Sequence, residues 1–283
     1  MATPIGNLED MTYRAVRVLG EVGMIACEDT RQTRKLLDRY GIHTPLVSYH
    51  EHNERERTAQ LIARLKEGAA VALVSDAGTP LVSDPGFRLV ETAAAEGIRV
   101  EPIPGPSAMM AALSASGLPT DAVWFGGFLP AKSGQRRKAL EAVRDLEATL
   151  VFYEAPHRIL ELLADIEEVL GGRRVVAARE LTKVHEEFVR GRVSQVRAAL
   201  AARDTVRGEF TVLVAKSDGP AAGPAGPAED AVAALERAGI DRMDAIKQVA
   251  RERGLPKREV YRLVELRNRS GRSTESDGSP KQK

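Results

Sequence analysis

The residues best placed to do chemistry lie where apolar runs give way to small and charged ones. Val71-Ala-Leu-Val-Ser-Asp-Ala-Gly-Thr-Pro-Leu-Val-Ser-Asp-Pro-Gly86 is a buried-strand pattern followed by a turn containing two Gly, two Asp and two Pro. In an open α/β sheet, ligands sit outside the carboxyl ends of strands. Gly78 lets the backbone approach a ligand closely because it has no Cβ. Asp76 offers a carboxylate to a cation or hydroxyl, and Pro80 stiffens the turn. An ordinary strand-to-helix connection needs fewer special residues, so the spacing points to a small-molecule site. A second turn, Pro102-Ile-Pro-Gly-Pro-Ser-Ala108, puts Ser107 at the start of a helix rich in small residues. Free backbone N–H groups there can hold a carboxylate. The two turns read as walls of one pocket.

Further charged strand ends supply candidates for reaction chemistry. Cys27-Glu-Asp-Thr-Arg31 either meets a substrate or pairs Glu28 with Arg31. Phe152-Tyr-Glu-Ala-Pro-His-Arg158 carries Glu154 and His157, both acid/base types, although a His at a helix start more often caps or packs. In Ala178-Arg-Glu-Leu-Thr-Lys-Val-His-Glu-Glu187, Lys183 either orients a hydroxyl or belongs to a solvated loop. There is no Walker A sequence, no G-x-G-x-x-G fingerprint and no nucleophile elbow, which counts against nucleoside triphosphates, dinucleotides and serine hydrolysis. No Cys/His or carboxylate cluster has metal spacing, and no metal is expected.

These residues need a scaffold. Apolar runs at 24–27, 45–49, 70–74 and 98–103 read as strands, alternating with helices over 31–40, 55–67 and 86–96. Asp84-Pro85 reads as an N-cap followed by Pro at the first helical position of the last. Alternation of this kind predicts βαβ units and a largely parallel sheet. A second set begins near Val123, with strands at 150–153, 175–178, 187–189 and 210–215 and helices over 156–170 and after Ser194. With fewer helices per strand, its sheet should be mixed. A Pro/Gly/Ala stretch at 217–229 is a linker. Helical patterns follow at 230–238, 241–253 and 257–267, the last two broken by Gly254-Leu255-Pro256 as in a helix-turn-helix. The expected fold class is therefore α/β. Two α/β domains, 1–118 and 119–217, enclose a cleft; the linker (218–229), a helical module (230–268) and a disordered tail (269–283) follow.

Composition bounds the class. The chain has 283 residues, of which 43% are hydrophobic and only 4% aromatic, so aliphatic side chains must build the cores. One cysteine allows no internal disulfide, and no run is long enough to span a membrane. A soluble cytoplasmic protein is expected. Net charge is +1, yet residues 241–272 hold ten Lys/Arg against five Asp/Glu. That basic end is either a solvated tail or a contact for an acidic partner.

Six segments in order carry a resemblance: Ala2-Thr-Pro-Ile-Gly-Asn-Leu8, Ala26-Cys-Glu-Asp-Thr-Arg31, Ser75-Asp-Ala-Gly-Thr-Pro80, Pro104-Gly-Pro-Ser-Ala108, Phe152–Arg158 and Gly208-Glu-Phe-Thr211. Together they resemble the tetrapyrrole methylase superfamily, in its ribosomal RNA methyltransferase branch. The resemblance implies S-adenosylmethionine (S-adenosyl-L-methionine) in the cleft between the domains. It also implies methylation of the ribose 2′-hydroxyl of a cytidine in the decoding region of 16S rRNA, within the small ribosomal subunit, by a homodimer. By motif, Pro4 belongs to the first cofactor loop and Asp76, Ala77, Gly78 and Thr79 to the second. Ser107 and Ala108 form the third contact, while Tyr153, Glu154, Gly208 and Glu209 come from the second domain. Met1 stands where the family has an aliphatic strand residue, so the first strand is expected to be a stub or the translated start to lie upstream.

A ribose hydroxyl needs a nearby base, for which Glu154, Lys183 and Glu28 are the candidates. RNA needs cations along its phosphates, and Arg31, Arg34 and Lys35, then Lys132, Arg136, Arg137 and Lys138, then the C-terminal module, supply them. Two other functions share these motifs. One is a small-molecule methyltransferase of the tetrapyrrole type; the other is a non-catalytic, ligand-sensing nucleic-acid-binding regulator. The basic C-terminal module and the Cys27–Arg31 segment favour RNA methylation over the first.

Overall fold

The computed structural model describes residues 1–217, 227–253 and 255–272. They fall into two compact units, Met1–Lys216 and Ser217–Lys283. The first unit contains both sheets. Its opening half runs α1 (Tyr13–Glu21), β1 (Met24–Cys27), α2 (Thr30–Arg39), β2 (Leu46–Ser48), α3 (Glu54–Lys66), β3 (Val71–Val74), α4 (Phe87–Ala95) and α5 (Ala108–Ser116). Its second half runs β4 (Val123–Phe128), α6 (Ser133–Ala142), β5 (Thr149–Glu154), α7 (Ile159–Leu170), β6 (Arg174–Arg179), β7 (Glu187–Arg192), α8 (Val193–Ala201) and β8 (Phe210–Val214).

The first sheet is parallel, in the order β2-β1-β3, and is covered on both faces. Ile25, Cys27, Ala72 and Val74 face Ala15, Leu19 and Leu37 of α1 and α2. Ala26, between Ile25 and Cys27, points the other way, toward Leu61, Ile62, Leu89 and Ala93 of α3 and α4. That double burial is why these strands read as continuous apolar runs.

The second sheet has the order β4-β5-β8-β6-β7; β4 and β5 pair in parallel and the remaining neighbours antiparallel. Leu150, Phe152, Val175, Ala177, Val212 and Val214 meet α6, α7 and α8 on one face. Val151, Val176, Ala178 and Leu213 meet Ala112 and Leu113 of α5 on the other. Helix α5 thus follows the first sheet in sequence but covers the second, which ties the two halves together.

Some boundaries differ from those read in the sequence, each for a local reason. Residues 98–103 form no strand. Ile98 is still tied to the end of α4, donating to Ala93 O, and Pro102 has no N–H to give a ladder. Nor does a strand form at the N-terminus: the Met1 ammonium donates to Leu73 O, Ala2 N–H to Ile103 O, and Thr3 makes one isolated bridge with Gly78. Helix α4 starts after Gly86 rather than at Asp84-Pro85, because Gly86 N–H is bound by the Glu54 carboxylate. Helix α7 starts at Ile159, leaving Pro156 in the preceding turn, and ends at Gly171 with φ of 76°.

The second unit comprises α9 (Ala228–Arg237), α10 (Arg242–Arg253) and α11 (Lys257–Arg272). Val232, Ala245, Ile246, Val249, Val260 and Val264 form its own core. The turn residue Gly254 and most of the expected tail and linker lie outside the described residues; of the tail, 269–272 continue α11. No helix among the described residues is long and apolar enough to cross a membrane.

Candidate active site

The carboxyl ends of β3, β4, β5 and β6 and the start of antiparallel β8 open onto one cavity of about 480 Å³. That volume is in the range of small-molecule sites. Asp76–Thr79 and Val82–Asp84 form one wall, joined by Ile5 of the N-terminal loop. Ser107 and Ala108 at the start of α5 form a second; Phe128, Tyr153–Pro156, Leu181, Lys183 and Glu209–Thr211 close the cavity from the second sheet.

The first wall is fixed by hydrogen bonds between segments far apart in sequence. Gly78 N–H donates to Thr3 O at 3.0 Å and Gly78 O accepts from Thr3 N–H at 2.8 Å. The Thr3 hydroxyl donates to Ser75 O, and the Thr79 hydroxyl to Pro106 O. Gly78 has φ of 78°, and a Cβ placed on it would stand 3.3 Å from Ile5 Cγ2 and 3.9 Å from Pro106 O. After Pro80 the chain takes left-handed φ at Leu81 and Ser83, which favours glycine and costs on the order of 1–3 kcal/mol per residue. This strained segment faces the cavity through Val82, Ser83 and Asp84. Asp84 therefore serves the cavity rather than capping α4, and burial pushes its carboxyl up.

The second sheet contributes the reactive side chains. Tyr153 lies edge-on to Phe125 and Phe128, at centroid distances of 5.0 and 5.6 Å, and its hydroxyl accepts from Met109 N–H in the first turn of α5. Met110 N–H is taken by Ser107 Oγ, so the helix start holds fewer free donors than the sequence suggests. Glu154 is 1% exposed at the end of β5. Its Oε1 accepts from Ala155 N–H at 2.9 Å and lies 3.2 Å from Arg158 Nε, while Oε2 has no hydrogen-bond partner. Burial raises its pKa, against the opposing charges of Arg158 and Arg136.

Lys183 donates to Glu180 Oε1 and Glu209 Oε2, each at 2.9 Å. Burial works to lower its pKa, but the two carboxylates outweigh it and the net shift is upward. The two carboxylates thus favour the charged form of Lys183. Its loop is bent, with left-handed φ at Glu180 and Thr182. Gly208, across from it, makes the bend possible: a Cβ there would be 2.4 Å from Glu180 Cγ.

Of the residues read from the sequence, Asp76, Ala77, Gly78, Thr79, Ser107, Ala108, Tyr153, Glu154, Lys183 and Glu209 line the cavity; Pro4 and Gly208 do not. Glu28 does not line it. It sits at the end of β1, where burial and the charges of Asp76, Asp84, Glu51 and Asp29 raise its pKa. Asp29 N–H donates to Asp76 Oδ1, which ties that strand end to the cavity wall. Sequence reading missed Ile5, Ser83, Asp84 and Phe128. Asp84 counts among the special residues of the turn but is assigned from sequence only the role of a helix cap, and Phe128 has no flanking motif.

The proposed RNA contacts separate into different environments. Arg31 is bound bidentately to Asp29, and Lys35 donates to Gln32, both on the surface. Arg34 is half-buried, Arg137 pairs with Asp165 and Glu168, and Lys132 and Lys138 are exposed. Arg136 is withdrawn from solvent altogether, at 1% exposure, and donates to Asp165 Oδ2 at 2.6 Å. Helix α6 turns this one cation inward, onto the buried carboxylate of α7. It is a structural residue, not a surface contact.

The cavity suits a cationic ligand better than an anionic one. Asp76, Asp84, Glu154 and Glu209 line it against the single cation Lys183. A sulfonium is favoured by such a lining, and the bare Gly78 backbone offers close approach. The residues present thus fit the methyl donor that the sequence motifs imply.

Comparison with known proteins gives a family and a fold. The sequence profile of the tetrapyrrole (corrin/porphyrin) methylases matches residues 2–197. A protein named ribosomal RNA small subunit methyltransferase I from Halalkalibacterium halodurans is 48% identical over 269 residues, covering 93% of this chain and 92% of its own. Among solved structures, a uroporphyrin-III-C-methyltransferase from Thermus thermophilus superposes with a TM-score of 0.53 at 23% identity, over 76% of this chain and 92% of that one. A uroporphyrin-III C-methyl transferase from the same organism, complexed with S-adenyl homocysteine, gives a TM-score of 0.50 at 20% identity, over 74% and 93% of the two chains.

Proposed function

Because the chain belongs to the tetrapyrrole methylases, in the ribosomal RNA small subunit methyltransferase I group, we propose that it methylates 16S rRNA at the ribose 2′-hydroxyl of a cytidine in the decoding region. The observation that carries the chemistry is the acidic lining of the cavity, in which Asp76, Asp84, Glu154 and Glu209 stand against Lys183. S-adenosylmethionine supplies a methyl group on a sulfonium, an electrophile transferred by in-line displacement. The turn Asp76–Thr79, with Ser107, Ala108, Tyr153 and Glu209, would hold it. With the donor bound, Glu154 would be the base for the hydroxyl proton as the methyl group passes from sulfur to the ribose oxygen, leaving S-adenosylhomocysteine. Positioning carries much of the rate of such a step, and the base adds to it. Lys183, kept cationic by Glu180 and Glu209, orients the acceptor rather than deprotonating it.

Phosphates stay outside the acidic cavity. Arg31, Arg34, Lys35, Arg137 and Lys138 flank the strand ends and α6, and α11 exposes Lys257, Arg258, Tyr261 and Arg262 on one helical face. An exposed aromatic among cations suits single-stranded RNA, by stacking and phosphate contact. The protein acts in the cytoplasm as a homodimer in this reading, as the resemblance implies. A tetrapyrrole substrate is disfavoured by charge, since its precursors are polycarboxylates and four of the five charged cavity residues are acidic.

The test is transfer of a labelled methyl group from S-adenosylmethionine, offered small ribosomal subunits lacking the modification and, separately, a uroporphyrinogen. Label in the 16S rRNA and none in the tetrapyrrole is expected. The reverse, or no transfer to either, would overturn the proposal.

A further inference from the structure

We propose that Phe128 is the platform on which the nucleobase of the acceptor nucleotide stacks. The inference rests on the RNA methyltransferase reading and names the residue that positions its substrate. Phe128 is 59% exposed, unusual for a phenylalanine, and it lines the cavity. It reaches that place by a β-bulge. Trp124 and Phe125 register with Leu150 and Val151, but Gly127 and Phe128 register with Phe152 and Tyr153, so Gly126 is an extra residue in β4. Without the bulge Phe128 would fall opposite Glu154 and point to the face covered by α6–α8, because a one-residue slip reverses every side chain. The bulge turns it to the Tyr153 side. Bulges beside active sites re-aim side chains in this way.

The sequence Phe125-Gly-Gly-Phe128 is built for this geometry. A Cβ on Gly126 would lie 2.4 Å from Trp124 Cζ3 and 2.9 Å from Phe152 Cε1. Gly127 has φ of 58°, and a Cβ on it would lie 2.8 Å from Ser83 Oγ. Both positions favour glycine, and the result is an aromatic group packed on Tyr153 with more than half of its surface open. Nothing in the core requires that placement. Sequence-tolerant recognition of single-stranded RNA uses such open rings, on which an unstacked base lies. Phe128 is both exposed and part of the cavity lining, and its partner Tyr153 lines the same cavity. A base held on Phe128 brings its own ribose to the cavity that Asp76, Tyr153 and Lys183 line.

The test compares wild type with Phe128→Ala, Phe128→Tyr and Phe128→Trp. For Phe128→Ala the KM for unmethylated small subunits should rise roughly 5- to 150-fold, the loss of one base–aromatic stack. Its affinity for S-adenosylhomocysteine, measured by calorimetry, should match wild type, and the Tyr and Trp variants should recover most of the KM. A weaker S-adenosylhomocysteine affinity would make Phe128 a donor contact, and a changed sedimentation coefficient would make it a subunit contact. Either result, or an unchanged KM, overturns the platform. If wild type itself places no methyl on a ribose, the function reading has failed. A second readout does not need turnover: wild type bound to S-adenosylhomocysteine should prefer a single-stranded RNA carrying the target base over one abasic at that nucleotide, and Phe128→Ala should lose that preference.

Discussion

Replacing Arg136 separates a structural cation from an RNA contact, two roles with opposite signatures. The guanidinium donates to Asp165 Oδ2 at 2.6 Å, Ala131 O at 3.1 Å and Glu161 Oε2 at 3.4 Å. Removing one partner of a buried ion pair leaves the other charge uncompensated, at about 3–5 kcal/mol. Asp165 keeps Arg137 at 2.7 Å and Ser133 Oγ at 3.0 Å, so the low end of that range, ~3 kcal/mol, is expected for Arg136→Ala. With a urea m-value of about 2–3 kcal/mol/M, the midpoint should fall by roughly 1–1.5 M. Trp124, the single tryptophan, packs edge-on to Phe152 in the same core and reports unfolding of this unit by fluorescence.

The acid limb should move as well. Burial acts to raise the Asp165 pKa, but its bonds to Arg137, Arg136 and Ser133 prevail and lower it. Its contribution to stability is present above the ordinary aspartate pKa and is lost as pH falls through the lowered one. In Arg136→Ala that loss should begin at higher pH. RNA affinity of the folded variant should keep the wild-type salt dependence. An unchanged urea midpoint together with a salt slope reduced by about 1 would refute the structural role and restore Arg136 as a phosphate contact.

Other perturbations probe the cavity and the C-terminal unit. Gly78→Val adds left-handed strain of about 1–2 kcal/mol and puts a branched side chain against Ile5; calorimetry should detect no S-adenosylhomocysteine binding while the Trp124 transition persists, and wild-type affinity would contradict the wall assignment. Glu154→Gln should lower kcat by about 10²- to 10⁴-fold. In wild type, kcat should climb with pH through the raised Glu154 pKa as the carboxylate becomes the base, and the Gln variant should lack that limb; an identical pH profile would exclude Glu154. Changing Lys257, Arg258 and Arg262 together to Gln should flatten the log–log salt dependence of RNA binding by about 2–3, whereas an unaltered slope would remove α11 from the interface.

Much of this arrangement is legible in the residues themselves. The strands β1 and β3 are apolar runs because both faces are covered, and the Gly78 turn declares itself through residue types that a simple connection does not need. What the sequence hides is decided by distant partners. Residues 98–103 have a strand's composition, but Pro102 and the tether of Ile98 to α4 forbid the ladder. Asp84-Pro85 has the form of a helix start, yet Glu54 from another helix binds Gly86 and shifts the start. Arg136 and Arg137 are neighbours of one type, and only the position of Asp165 on α7 determines which is buried. Lys183 is one lysine among others until Glu180 and Glu209 fix its charge. Phe128 is aimed by a register shift that the strand's composition does not announce.

The most direct measurement concerns the atom that receives the methyl group. Small subunits lacking the modification are incubated with the protein and methyl-labelled S-adenosylmethionine, and the 16S rRNA is then digested with alkali. Alkaline cleavage needs a free 2′-hydroxyl, so a 2′-O-methyl group protects the adjacent phosphodiester. The label should be recovered in a single alkali-stable dinucleotide that begins with cytidine. Label released in mononucleotides would place the methyl group on a base and contradict the ribose chemistry assigned to Glu154.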